Sequence, residues 1–141
     1  MIICPELIFS SDGIQYDLRL NGRILTVGGD SASGKTLLLD RLRKLKTLPE
    51  YSFIQDFDYT THNFSKRLSE CHKNLVVIDN ADIIVGKQDI VFINHSTDNQ
   101  FLLFSRSLEG LDTTLLHRKV LVYKNRTFSL KGEFDELFSL D

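Results

Sequence analysis

The stretch "RILTVGGDSASGKTLLLDRL", Arg23 to Leu42, decides the fold that the sequence predicts. An apolar run, typical of a strand, enters a loop of glycines and small polar residues. A lysine and a threonine follow, and leucines then recur at helical spacing. A loop that opens a helix offers backbone N–H groups and the positive end of the helix dipole to an anion. The stretch therefore predicts a phosphate-binding loop.

The loop fits the pattern G-x-x-x-x-G-K-[ST] at every fixed position. Its small side chains would let the backbone approach a polyphosphate closely. The side chain of Lys35 would reach the β- and γ-phosphates, and the hydroxyl of Thr36 would bind Mg²⁺. The residues predicted to bind the cofactor here are Gly29, Asp30, Ser31, Ala32, Ser33, Gly34, Lys35 and Thr36. A glycine-rich turn with an incidental lysine is the alternative interpretation.

A carboxylate that could hold the metal follows a second apolar run. The run "LVVID", Leu75 to Asp79, predicts a strand buried on both faces, with Asp79 at its carboxyl end. Ligands bind at that end of the strands in open α/β sheets. Thr36 and Asp79 are therefore the predicted metal ligands. A core strand that happens to end in an aspartate is the alternative.

Turn signals and apolar runs predict the remaining elements. "SSDG" and Asn21-Gly22 divide residues 6–9, 14–20 and 23–28 into an antiparallel meander, and Asn125-Arg126 turns a C-terminal hairpin. Residues 60–73 predict a helix, and "KQDIVFINHS" fits either a helix or an irregular connection. In the tail, Phe134, Leu137 and Phe138 have helical spacing. Because strands and helices alternate in the middle, we predict one α/β domain, residues 1–141, with a mostly parallel sheet flanked by helices.

Two motifs resemble those of the P-loop NTPase superfamily. "GDSASGKT" is similar to its Walker A motif and "LVVID" to its Walker B strand. The separation of Lys35 and Asp79 leaves room for an extra strand, as in the ABC- and AAA+-like branch, and the chain resembles short bacterial P-loop proteins. The resemblance implies a P-loop NTPase-like fold, with antiparallel hairpins in the N- and C-terminal regions, and ATP and Mg²⁺ as cofactors. Because no N-K-x-D motif that reads guanine is present, ATP is favoured over GTP.

The chain departs from that branch directly after the metal-binding aspartate. The branch usually has a glutamate there, which activates the attacking water, whereas this chain has Asn80. An amide can orient a water but cannot accept its proton, so we expect weak or absent hydrolysis unless Asp82 or another carboxylate substitutes. Ser105, after the run "FLLF", matches the position of a γ-phosphate sensor, and Arg106 could place a cation beside the phosphates. The predicted catalytic residues are Lys35, Asn80 and Arg106. That Ser105 and Arg106 merely end a strand at the surface is an equal alternative.

Composition limits the class of protein. The chain has 141 residues, 42% of them hydrophobic, and a net charge of -2, which argues against a generic nucleic-acid binder. Its two cysteines are too few for a disulfide scaffold and suggest a reducing cytoplasm. No apolar run approaches the roughly 18 residues that span a membrane, and the N-terminus does not read as a signal peptide.

Three functions remain open from the sequence. The first is a Mg-ATP-binding protein with weak or absent ATPase activity. The second is a small-molecule kinase, which needs positioning more than a base, although the arginine-rich lid expected of one is missing. The third is a non-enzymatic regulator or interaction module that retains a P-loop and uses its terminal hairpins as a contact surface. The expected partner is a nucleotide, while a protein partner and a homo-oligomer stay open.

Overall fold

The computed structural model describes residues 2–28, 34–105 and 108–132. These residues form an eight-stranded sheet with the order β1-β2-β8-β7-β3-β6-β5-β4. The strands are β1 Glu6–Ser11, β2 Ile14–Arg19, β3 Ile24–Gly28, β4 Ile54–Phe57, β5 Leu75–Ile78, β6 Gln100–Phe104, β7 Leu116–Lys124 and β8 Thr127–Gly132. The helices are α1 Lys35–Leu45, α2 Phe64–Ser69, α3 Ala81–Ile84 and α4 Lys87–His95, with a 3-10 turn at Pro49–Tyr51. The predicted tail helix lies outside the described residues.

The predicted fold class, an α/β P-loop NTPase-like sheet that is mostly parallel and flanked by helices, is wrong. The structure is a curled, mixed sheet of eight strands, and only 27% of it is helical. Two antiparallel hairpins, β1-β2 and β7-β8, supply half of the strands. They join through the parallel pair β2-β8. The prediction took the alternation of strands and helices in the middle of the chain as the pattern of the whole sheet. The strands at the two ends of the chain join that same sheet and make it mixed.

The predicted N-terminal meander is also wrong in its third strand. β3 does not continue from β2; it lies between β7 and β6 and is parallel to both. Asn21 and Gly22 have negative φ, so they cannot form the two-residue turn that "NG" suggested. Gly22 instead gives room to the ring of His117 on β7, because a Cβ at position 22 would overlap that ring.

The two other hairpin turns match their sequence signals. Asp12 and Gly13 join β1 to β2 with φ of 53° and 77°. Asn125 and Arg126 join β7 to β8 with φ of 53° and 57°. Positive φ at both central residues is the requirement of a type I′ turn, whose twist matches that of paired strands. These turns fix the register of both hairpins.

Hydrophobic clusters cover both faces of the sheet. On one face, three leucines of α1 pack with residues of β2, β3 and β8, so that the curled hairpins and α1 share a core. On the other face, Leu68 of α2 and Ile93 of α4 pack on β5 and β6. Every residue of β5 is buried, as its continuous apolar run predicted. The sheet therefore holds α1 on one side and α2 and α4 on the other.

Strands β3, β6, β5 and β4 run parallel, which brings their carboxyl ends to one edge of the sheet. The register pairs Val27 with Phe104 and Ile78 with Leu103. The residues that follow these strands therefore lie near one another in space, although they are far apart in sequence. We call this the carboxyl edge, and the opposite end of the same strands the amino edge.

Candidate functional site

Gly34, the residue directly before α1, has a backbone conformation that favours glycine. Its φ of 94° and ψ of 10° are left-handed. A Cβ at this position would also lie 2.7 Å from Cε1 of Phe128 on β8. Both the dihedral angle and the close approach of β8 therefore require glycine here. Backbone conformation and packing are therefore sufficient to explain the last glycine of the loop motif.

The first turn of α1 suits an anion. Lys35 and Thr36 are the first two residues of α1. The first turn of this helix, all of which the structure describes, contains no acidic side chain. The positive end of the helix dipole favours negative charge at such an end. The loop residues Gly29, Asp30, Ser31, Ala32 and Ser33 lie outside the described part of the chain. The structure therefore places only Gly34, Lys35 and Thr36 of the predicted phosphate loop.

A cleft of about 280 Å³ opens at the carboxyl edge beside α1. It brings together residues from α1 with the residues that follow β5 and β6. Lining it are Lys35, Thr36, Leu39, Asp79, Asn80, Asp82, Phe104 and Ser105. Five predicted site residues from three separate parts of the chain thus meet at one cleft. Its volume is just below the range of about 300–1,000 Å³ that is typical of small-molecule sites.

Asp79 enters the cleft because β5 ends immediately before it. Its backbone N–H donates to the carbonyl of Phe57 at 2.9 Å, which keeps it in line with the neighbouring strand β4. Mg²⁺ is commonly held by one or two protein ligands together with phosphate oxygens and water. Asp79 and the hydroxyl of Thr36 fit that small ligand set. Among residues 2–28, 34–105 and 108–132, no group of three or more His, Cys, Asp or Glu side chains could hold a metal by itself.

Asn80 occupies a left-handed conformation, with φ of 50° and ψ of 46°. Asparagine adopts this conformation far more readily than glutamate, because its short amide can bond locally. The backbone here therefore gives a structural reason for asparagine at this position. The bend also starts α3 at once, since Ile83 donates to the carbonyl of Asn80 at 2.9 Å. Asp82, in the first turn of α3, is thereby brought to the cleft.

Ser105 is held at the junction of two strands. Its backbone N–H donates to the carbonyl of Val27 at 3.2 Å, so it extends the pairing of β6 with β3. The residue is only 6% exposed, yet it contributes to the cleft wall. Ser105 therefore directly follows the end of β6 and lies in the wall of the cleft. Arg106 lies outside the described residues, so its predicted catalytic position is not placed.

A charged cluster ties α1 to the end of β4 near the cleft. Nε of Arg43 donates to Oδ2 of Asp56 at 2.9 Å, and a terminal nitrogen of Arg43 donates to Asp58 at 3.1 Å. Lys46 donates to the other oxygen of Asp56. Burial favours the neutral Asp56 carboxyl, but the hydrogen bonds from Lys46 and Arg43 outweigh it and lower the pKa of Asp56. The bond to Asp56 raises the pKa of Arg43, and the charge of Asp79 acts in the same direction.

Sequence reasoning missed two apolar residues of the cleft, Leu39 and Phe104. Leu39 follows Lys35 by four residues, so the helical period alone places both on one side of α1. Phe104 directly precedes Ser105 at the end of β6, and no sequence signal distinguishes it from the other core residues of that strand. These side chains give the polar cleft an apolar wall.

Comparison with protein-family models, curated proteins and solved structures finds no match to this chain. Within the described ranges, no helix combines the length and the apolar character needed to cross a membrane. The case for a function therefore depends on the cleft itself.

Proposed function

We propose that this protein binds Mg-ATP at the N-terminus of α1 and hydrolyses it slowly or not at all. In this proposal, Lys35 contacts the β- and γ-phosphates, and Thr36 and Asp79 hold Mg²⁺. Ser105 contacts the terminal phosphate. The loop Gly29 to Ser33 would complete the cradle with its backbone N–H groups.

One observation carries the proposal. The lysine and threonine that the motif assigns to phosphate and metal line the same cleft as the aspartate that follows β5. Lys35 and Asp79 are separated by more than forty residues in the sequence, and no local signal requires them to meet. The parallel strands would bring any residues at these positions together, so the proposal rests on their being a lysine, a threonine, a carboxylate and a serine.

Weak hydrolysis follows from the residues around the expected position of the attacking water. The amide of Asn80 can orient that water but cannot take its proton. Among the residues that the structure describes, two carboxylates line the cleft: Asp79, the proposed metal ligand, and Asp82. We therefore expect phosphate release below about 1 s⁻¹, slower than a typical enzyme. Any residual release should be lost in Asp82→Asn, which leaves the metal ligands in place.

Thermal unfolding with and without nucleotide tests the binding. A ligand at about 100 times its Kd stabilises the folded state by about 2.7 kcal/mol, so Mg-ATP should raise the Tm of the wild type by several degrees. Lys35→Ala should remove most of that increase. Lys44→Ala is the matched control, because Lys44 is an exposed lysine of the same helix outside the cleft. A wild-type Tm that Mg-ATP leaves unchanged would contradict the proposal.

We also propose that the protein acts in the reducing cytoplasm. Cys4 and Cys71 are both buried and unpaired. Burial raises the pKa of the Cys71 thiol to about 11, so it stays protonated and unreactive at neutral pH. Free buried thiols are compatible with the reducing cytoplasm where we expect the protein to act.

A further inference from the structure

Two carboxylates lie side by side where the neighbouring strands β4 and β5 end. The register of these strands pairs Phe57 with Ile78, and the N–H of Asp79 donates to the carbonyl of Phe57 at 2.9 Å. The pairing therefore extends one step beyond both strands, which brings Asp58 next to Asp79. Since neighbouring strands are about 4.8 Å apart, Asp58 is a close neighbour of the proposed metal ligand.

Both carboxylates lie on the side of the sheet that α1 covers. Asp79 lines the cleft together with Thr36 and Leu39 of α1. Asp58 accepts a hydrogen bond at 3.1 Å from a terminal nitrogen of Arg43. Arg43 follows Leu39 by four residues, so it lies one turn further along the same side of the helix. The side chain of Arg43 is therefore located between the cleft and a second carboxylate.

Arg43 holds the Asp58 carboxylate through one of its two oxygens. The guanidinium bridges Asp56 and Asp58 at 2.9 and 3.1 Å. Asp56 also accepts from Lys46, so it would keep a cation without Arg43. The other oxygen of Asp58 accepts from the N–H of Thr60 at 2.8 Å, and in the part of the chain that the structure describes Arg43 is the only ion-pair partner of Asp58. Hydrogen bonds from Thr60, and then the charge of Arg43, lower the pKa of Asp58, which keeps it ionised at neutral pH.

We propose that Arg43 makes metal binding at the cleft depend on the nucleotide, because it withholds the carboxylate of Asp58 from the metal. This inference rests on the proposed Mg-ATP site. While Arg43 holds Asp58, a metal at Asp79 and Thr36 needs phosphate oxygens to complete its ligand set. Loss of Arg43 frees an oxygen of Asp58 beside Asp79, and two adjacent carboxylates attract a divalent cation without a nucleotide. Arg43 is thus a positioning residue that acts through Asp58.

Titration of the full chain with Mn²⁺ in the absence of nucleotide tests the role of Arg43. Electron paramagnetic resonance measures the free Mn²⁺, which prefers the same oxygen ligands as Mg²⁺. Because the charge of the available ligands tunes the affinity for such cations, Arg43→Gln should bind Mn²⁺ at least about tenfold more tightly than the wild type. The double variant Arg43→Gln/Asp58→Asn should return to the wild-type affinity. A merely structural role of Arg43 would predict no gain that a second substitution reverses.

The matched control is Arg41→Gln. Arg41 is an arginine of the same helix that pairs with Asp12 and Asp40 outside the cleft, so this variant should bind Mn²⁺ like the wild type. If Arg43→Gln does not fold, Arg43→Lys keeps the charge but cannot bond both carboxylates, and it should still tighten Mn²⁺ binding. An Arg43→Lys affinity equal to that of the wild type would then contradict the inference.

Three further outcomes would overturn the role of Arg43. The first is equal Mn²⁺ affinity of the wild type and a folded Arg43→Gln. The second is a double variant that binds Mn²⁺ as tightly as Arg43→Gln, because the gain would then not come from Asp58. The third is a wild type that binds Mn²⁺ as tightly without ATP as with it. All three leave ATP binding by the wild type intact, whereas a wild type that does not bind Mg-ATP would overturn the proposed nucleotide site itself.

Discussion

The two edges of the parallel strands differ in how their backbone is held. At the amino edge, the fully buried side-chain amides of Asn99 and Gln100 form hydrogen bonds with the backbone of several segments. The amide group of Gln100 donates to the carbonyls of Leu20 and Gly22, and its oxygen accepts from the N–H of Cys4. Asn99 donates to the carbonyl of Cys71 and accepts from the N–H of Asn74.

At the carboxyl edge, by contrast, the strands end at an open cleft lined by charged and polar side chains, among them Lys35, Asp79 and Asp82. Gly34 has a φ of 94° and Asn80 a φ of 50° beside this cleft. A left-handed residue also occurs at the amino edge, where Lys73 has a φ of 56°, so the open cleft and its charged lining are what distinguish the carboxyl edge. The amino edge therefore contributes mainly to stability, whereas the carboxyl edge exposes polar side chains in a cleft. Substitutions at the amino edge should change stability without changing binding, and those at the carboxyl edge should change binding.

The largest effect on stability is expected from Gln100→Leu. The substitution leaves one buried N–H and two buried carbonyls without their partner, which should cost about 3 kcal/mol and lower the Tm by about 10 °C. Chemical denaturation measures the free energy of unfolding. Gln55→Leu on the edge strand β4 is the control, because Gln55 is only half-buried. Mg-ATP affinity of the folded Gln100→Leu protein should equal that of the wild type; a large loss of affinity would break the division between the edges.

Gly34→Ala should affect both stability and binding. An alanine would have to adopt a φ of 94° and displace the ring of Phe128, at a cost of about 2 kcal/mol. We also expect loss of the Tm increase caused by Mg-ATP, because the first turn of α1 would move. Gly110→Ala is the matched control, since Gly110 has a similar φ of 89° in a loop outside the cleft. It should lose stability and keep the nucleotide response. A similar loss of response in both variants would show that strain alone reduces binding.

The smallest expected effect comes from Asn80→Glu. Glutamate in a left-handed conformation should cost about 1 kcal/mol, visible as a Tm decrease of a few degrees. Asn80→Gly should be at least as stable as the wild type, because glycine adopts this backbone without strain. If Asn80→Glu is as stable as the wild type, the left-handed backbone does not explain the asparagine at this position.

Local signals in the sequence predicted the elements of the site better than the architecture around it. The apolar run of β5, the leucine spacing of α1 and the two type I′ turns each depend on a few neighbouring residues, and the structure has all of them. The parallel pairing of β2 with β8 joins segments more than a hundred residues apart and leaves no local pattern. The predicted meander paired β2 with β3 because Asn21-Gly22 resembles a hairpin turn in sequence. No local signal indicated that β8 is the neighbour of β2 instead.

The residues that line the cleft were predictable in part. Lys35, Thr36 and Asp79 were expected to meet, and they line one cleft. The left-handed backbone of Asn80 was not predictable, because it depends on how α3 leaves the end of β5. It changes the interpretation of Asn80, which the sequence alone presents as a lost glutamate.

The metal dependence of ATP binding tests the central claim most directly. Titration calorimetry would measure the Kd of ATP with Mg²⁺ and with EDTA, for wild type, Asp79→Asn and Asp98→Asn. Asp98 is a control carboxylate at the amino edge, where it pairs with His72. We predict that Mg²⁺ tightens ATP binding to the wild type and to Asp98→Asn, and that Asp79→Asn loses this gain. Mg²⁺ having no effect on the wild type, or the same effect on Asp79→Asn, would contradict the assignment of the cleft as a Mg-ATP site.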